Sequence, residues 1–180
     1  MTGRRTMAVM EIRKNGDPAL RKQSKRVRAM NDDLAALGRD MVETMLDAGG
    51  VGLAANQVGR LKRIIAVLID DEPRVLVNPK IVKKSADTEI NDEGCLSIPG
   101  VSASVNRHVT VRVKAFDVDM KPVSIDAEGL LARAFQHELD HLNGITILDR
   151  AEPGTVREIT LETESAEGGA EPDASVRGVR

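Results

Sequence analysis

Two of the three histidines in this 180-residue chain stand in one pentapeptide, His137-Glu138-Leu139-Asp140-His141. The one cysteine stands upstream in Glu93-Gly94-Cys95-Leu96-Ser97. On a helix, side chains four residues apart lie one turn apart on the same face, so both imidazoles can reach one metal ion. The glutamate after the first histidine then sits beside that metal as a proton acceptor, which is how an H-E-x-x-H motif works. A thiolate from Cys95 supplies a third ligand. Three protein ligands leave a tetrahedral metal one open place for water, the arrangement of a catalytic site. The plainer alternative is a pair of satisfied core histidines and a cysteine acting as a small buried hydrophobe. Burying two imidazoles and a carboxylate without partners costs several kcal/mol, however, and a metal removes that cost.

The element that must carry the pentapeptide is a helix over about Glu128 to Leu142. Leu130, Ala134, His137 and His141 recur on one face of it, and Asn143-Gly144 closes it. Asp17-Pro18 reads as a cap and first position of a short helix. A second helix begins near Asn31, with a core stripe of Leu34, Leu37, Met41 and Met45, and ends at Gly49-Gly50. Arg63 to Ile69 and Arg74 to Asn78 are β-rich runs around a turn at Asp70-Asp71-Glu72-Pro73, which predicts a hairpin. Lys80 to Ile90 is a weaker strand. Val109, Val111, Val113 and Ala115 alternate with polar residues as in a half-buried antiparallel strand, and Val123 to Ala127 returns after a turn. Gly94 and Pro99 suggest a shaped loop around Cys95 rather than a regular strand.

The composition narrows the function classes. A 41% hydrophobic content suits one globular domain, taken as residues 1–161, with an aliphatic core, since Phe116 and Phe135 are the only aromatics. From about Glu162 the chain is rich in Glu, Gly, Ala and Ser, and 162–180 is expected to be a disordered acidic tail. A net charge of -2 gives no reason to expect direct nucleic-acid binding. The basic run Arg21, Lys22, Lys25, Arg26 and Arg28 reads as a solvated face. One cysteine forms no internal disulfide, no apolar run is long enough to span a membrane, and the N-terminus lacks a secretory signal's apolar stretch. These observations point to a cytoplasmic protein without a membrane partner.

A third motif, Gly50-Val51-Gly52-Leu53-Ala54-Ala55-Asn56-Gln57, lets a backbone or ligand approach closely. It follows a helix and lacks the full dinucleotide fingerprint, which argues against a dinucleotide site. Taken in order, these three segments resemble the peptide deformylase family, marked by G-x-G-x-A-A-x-Q, E-G-C-x-S and H-E-x-D-H. The resemblance runs from about Met7 to Arg150, with the compact bacterial spacing. It implies an α+β fold in which antiparallel sheets pack around the central metal-binding helix, with N-terminal helices. It implies an enzyme that removes the formyl group from the formyl-methionine of newly made polypeptides. Cys95, His137 and His141 would bind the metal, typically ferrous iron, with zinc, nickel or cobalt able to replace it. Glu138 would be the general base and later the proton donor, while Gln57 and the Leu96 N–H would hold the developing oxyanion. Val51, Leu96, Leu130 and Ala134 would wall the methionine pocket. Gly50, Gly52 and Val101 would offer backbone hydrogen bonds to the peptide.

Departures from the family pattern carry expectations too. Asn56 stands where many members have proline, and Ser102 where a larger residue is common, which would open the substrate groove. Some members dock on the ribosome through a basic C-terminal helix. The acidic tail here predicts no such docking mode and leaves a transient ribosome contact open. Asp140 is expected to pair with Arg107 or to be solvated, and Glu93 to orient its neighbours. Two rival readings remain. A zinc peptidase usually takes its third ligand downstream of the pentapeptide, where this chain has no histidine. A structural metal module normally needs four protein ligands.

Overall fold

The run Ile64–Ile69 is apolar at every place because the fold buries both of its faces. The computed structural model describes residues 8–159. In chain order, a 3-10 turn (Pro18–Arg21) precedes helix α1 (Asp32–Asp47). Strand β1 (Gly52–Ala54) and a second 3-10 turn (Ala55–Val58) lead into β2 (Ile64–Ile69) and β3 (Glu72–Lys84). Then come β4 (Thr88–Cys95), β5 (Ile98–His108), β6 (Thr110–Phe116) and β7 (Pro122–Glu128), followed by helices α2 (Gly129–Leu142) and α3 (Ile147–Arg150) and strand β8 (Arg157–Glu158).

One sheet has the order β1-β2-β3-β6-β7 and the other β4-β5-β8, all antiparallel. Helix α2 packs Phe135, Leu139 and Leu142 against Ile65, Val67, Val111 and Val113 on one face of the larger sheet. Helix α1 packs Leu37, Met41 and Met45 against Leu53, Ile64, Ala66 and Val77 on the other. Each of these side chains contributes about 1.5–3 kcal/mol by leaving water. The smaller sheet has its own cluster of Ile98, Ala103 and Val105 under Ile147. The fold is thus α+β, with antiparallel sheets about the helix that carries the histidines.

The caps act locally as the sequence predicts. Asn31 accepts the Leu34 N–H at 2.9 Å, and Asp17 accepts that of Ala19 at 2.8 Å, though Pro18–Arg21 makes only a 3-10 turn. Gly144 ends α2 with φ +78, and a Cβ there would lie 2.6 Å from the Arg21 carbonyl oxygen. Three strand expectations change. The β2–β3 turn is only Asp70-Asp71, both left-handed (φ 52 and 61), and Pro73 lies inside β3 opposite Leu68. Proline is tolerated there because the paired stretch with β6 begins only at Val77, so its missing N–H faces no partner strand. Strand β3 runs on to Lys84 through a register shift between Val77 and Lys80, so Lys80 to Ile90 divides between β3 and β4. The expected loop around Cys95 is the tight corner between β4 and β5, and β5 is a strand of eleven residues.

Candidate metal centre

Two elements bring the three donors together: Cys95 comes from one and both histidines from the other. Cys95 ends β4 where the β4–β5 register shifts, while His137 and His141 come from successive turns of α2. The Cys95 Sγ lies 3.2 Å from His141 Nε2, and the two Nε2 atoms are 3.1 Å apart. All three donor atoms fall within 4.8 Å of one another. Hydrogen bonding does not account for this cluster, because the His141 Nδ1 is buried without any partner. One soft thiolate and two imidazoles converging at this range fit a transition-metal ion.

The surrounding charges fix the donors. His137 Nδ1 meets Glu93 Oε2 at 3.0 Å, which turns its Nε2 toward Cys95. Arg107 grips Glu93 through Nε (2.9 Å) and Nη2 (3.0 Å) and reaches Asp140 through Nη1 (2.5 Å), all three groups being buried. Arg133 adds a bond to Glu93 Oε1 at 2.9 Å, and Arg150 brackets Asp140 at 2.8 and 3.1 Å. Burial alone would raise the Glu93 pKa, but hydrogen bonds from His137 and Arg107 pull it down to about 2. For His137, burial opposes protonation, yet hydrogen bonding to Cys95 and Glu93 raises it to about 10. His141 goes the other way, because burial and the neighbouring His137 charge both disfavour its protonated form.

Glu138 lies beside these donors. Burial pushes its pKa up to about 7, and its Oε2 has no hydrogen-bond partner. The Glu138 side chain packs on Gly52, where a Cβ would come within 2.4 Å of Oε1. Gln57 anchors its Oε1 on the Ala54 N–H at 2.8 Å and aims its Nε2 at Cys95 Sγ (3.8 Å) and Ser97 Oγ (3.2 Å). From the N-terminal segment, Lys14 Nζ holds the Leu96 carbonyl at 2.9 Å and the Asn15 N–H holds that of Ser97 at 2.9 Å.

A cavity of about 380 Å³ opens over this cluster. Gly50, Val51, Gly52 and Gln57 line one side, and Cys95, Leu96 and Val101 another. Leu130, Ala134, His137 and Glu138 line the α2 side, while His141 lies behind them, almost wholly buried. Leu130 and Val51 form its exposed rim. Every residue expected to bind metal, to catalyse or to hold substrate therefore stands at this cavity or directly behind it.

One expectation is met here: Arg107 pairs with Asp140, and it reaches Glu93 as well. Ser102 is buried in β5 opposite Gly94 and Arg157 and is not itself among the residues that line the cavity. Sequence reasoning missed Arg133, Arg150 and Ile159. Arg133 stands one turn before His137 and so carried a signal. Ile159 lines the cavity from beyond β8 and carried none. Asn56, fully buried, donates from Nδ2 to the His141 carbonyl at 2.5 Å, a bond that proline could not make.

Comparison with known proteins agrees with this geometry. A family model described as polypeptide deformylase matches residues 9–157. The peptide deformylase of Natranaerobius thermophilus is 50% identical over 147 residues, covering 81% of this chain and 94% of its own. That of Dictyoglomus thermophilum is 49% identical over 149 residues, covering 83% and 97%. Among solved structures, the peptide deformylase from Thermotoga maritima superposes with a TM-score of 0.78 at 40% identity, covering 81% of this chain and 99% of that one. The Synechococcus elongatus peptide deformylase in complex with actinonin gives 0.77 at 45% identity, covering 79% of each chain.

Proposed function

This chain belongs to the peptide deformylase family, and we propose that Cys95, His137 and His141 hold its catalytic metal with Glu138 as the base. It is an enzyme that removes the N-terminal formyl group from formyl-methionyl peptides and releases formate. The observation that carries the assignment of roles is the Glu138 carboxylate, buried, unpartnered at Oε2 and open to the cavity beside three converging donors. We assign ferrous iron as the resident ion, with zinc, nickel or cobalt able to take its place. A divalent ion in this donor set supplies Lewis-acid polarisation and makes water acidic near neutral pH.

The protein's own groups do the rest. Glu138 takes a proton from the attacking water as the new C–O bond forms at the formyl carbon. It returns that proton to the amine nitrogen as the C–N bond breaks. A carboxyl group with a pKa of about 7 is suited to both transfers. Gln57 Nε2 and the Leu96 N–H donate to the formyl oxygen as negative charge develops there; each such donor is typically worth about 10²–10³ in rate. Val51, Leu96, Leu130 and Ala134 receive the methionine side chain. The backbones of Gly50, Gly52 and Val101 hold the peptide in extended form, which reads little of its sequence. The substrates are nascent chains in the cytoplasm, and the catalytic unit is residues 1–161. No helix among the described residues is long and apolar enough to cross a membrane. The expected acidic tail, 162–180, lies outside the described residues.

The test is formate release from a formyl-methionyl peptide by protein loaded anaerobically with iron, with Glu138→Ala alongside. Turnover by the parent and none by the variant, at equal metal content, is the expected result. Turnover that survives in the variant would remove Glu138 from the role of base.

A further inference from the structure

We propose that the bare end of the five-stranded sheet binds single-stranded nucleic acid, its phosphates on Arg26, Arg63, Lys80 and Lys114 and a base on Phe116. This goes beyond deformylation and is independent of it, since none of these residues lines the catalytic cavity. Helix α1 packs on β1, β2 and β3; at the β6 end of the same face Phe116 is half-buried against that helix's cluster, and Lys114 and Arg112 beyond it are exposed. There Lys80 and Lys114 stand directly opposite each other in the register, both exposed. Like charges so placed destabilise a ladder. With Arg26 and Arg63 they line a cavity of about 550 Å³ that has no carboxylate on its walls. Among the described residues the Arg63 guanidinium bonds only neutral oxygens, Asn143 Oδ1 at 2.9 Å and the Pro79 carbonyl at 3.4 Å. Among the described residues, neither Arg26, Lys80 nor Lys114 makes an ion pair.

Pro79, Phe116 and Pro122 contribute apolar lining to this cavity, with Pro79 buried and Phe116 half-buried. Phe116 and Arg26 also line an adjoining depression with Arg28, so positive charge flanks the ring on both sides. Further along the strands Lys83 stands opposite Arg112, and the carboxylate there, Asp126, is already gripped by Arg112 at 2.6 and 3.0 Å. An aromatic face between cations along an open track is how single strands are bound without sequence preference. The net charge of -2 conceals the patch, because it averages over acidic groups elsewhere in the chain.

The test is fluorescence anisotropy of a labelled short oligouridylate with the full chain over a range of salt concentrations. Four phosphate contacts predict a log–log salt slope of about -3. Lys80→Glu with Lys114→Glu should weaken binding at least about tenfold and reduce the slope to about -1.5. Phe116→Leu should weaken it about tenfold with the slope unchanged. Wild-type deformylase turnover checks the fold of each variant, and the exposed lysine pair carries the test if Phe116→Leu misfolds. Equal binding by the lysine variant would overturn the proposal. So would displacement by inorganic polyphosphate, charge for charge, with no effect of Phe116→Leu, since that describes a site for any polyanion.

Discussion

At the scale of single residues, the site depends on close approach. Glu138, the proposed base, can be buried where it is only because Gly52 has no side chain, leaving the space that its carboxylate fills. Gly52→Ala would place a methyl group within 2.4 Å of Oε1, too close for any contact, so the carboxylate must shift from its present place. A misplacement of about 1 Å can cost roughly 10² in rate. We therefore expect kcat for formate release to fall by about that factor while metal content stays at the parent level. An unchanged kcat would mean that Glu138 tolerates displacement and is not held to a single geometry. Residues at this scale were the most legible in the sequence. The pentapeptide, the cysteine and the Gly-x-Gly segment are chemically unusual in themselves, and one cavity gathers all three. The arginines that brace them were less so, because a lone arginine in a sequence gives no sign that it is buried.

At the scale of elements, legibility followed periodicity. Helix α2 was readable almost to its ends, and β6 alternates cleanly between buried and exposed places. Strand β5 was missed because its inward side carries Ala103, Val105 and Arg107, and an inward arginine breaks the apolar alternation that marks a strand. That arginine is there to hold Glu93 and Asp140, so the site's needs overrode the strand's pattern. Helix α3 shows a smaller case with a pH signature. Asp149 accepts the Thr146 N–H at 2.7 Å and its hydroxyl at 2.9 Å, closing a capping box, and it pairs with Arg21 at 2.5 Å. Burial would raise its pKa, but the Thr146 and Arg21 bonds hold it below the usual carboxylate value. A carboxylate with a depressed folded pKa stabilises fully above its unfolded pKa of about 3.9 and less as the pH falls through the folded value. Asp149→Ala should thus cost about 1 kcal/mol at pH 7, the ordinary worth of such a cap. The difference from the parent should shrink below pH 4, as read from denaturant midpoints. A penalty that does not change with pH would assign the effect to packing rather than to charge.

At the scale of the whole molecule, the metal site is also a joint. Cys95 belongs to the smaller sheet, His137 and His141 to the helix packed on the larger one, and Gln57 to the turn after β1. His137 follows Cys95 by 42 positions in the sequence, so the unfolded chain presents no assembled site. Binding that is confined to the folded state adds to stability by mass action, about 4 kcal/mol at a thousandfold excess over the dissociation constant. For a chain of this length that is a shift of roughly 10 °C in melting temperature. Chelation should lower the melting temperature by about this amount. It should also speed hydrogen exchange at the β4–β5 corner and the last turns of α2, leaving β2 and β3 protected. Cys95→Ser tests whether the joint itself is responsible. With the thiolate gone, the helix still presents two imidazoles but the smaller sheet is no longer tied to them. Metal should then raise the melting temperature far less than in the parent, and exchange at the β4–β5 corner should no longer respond to it. If the variant is stabilised as strongly as the parent, the ion is held by the helix alone and the two sheets are joined only by packing.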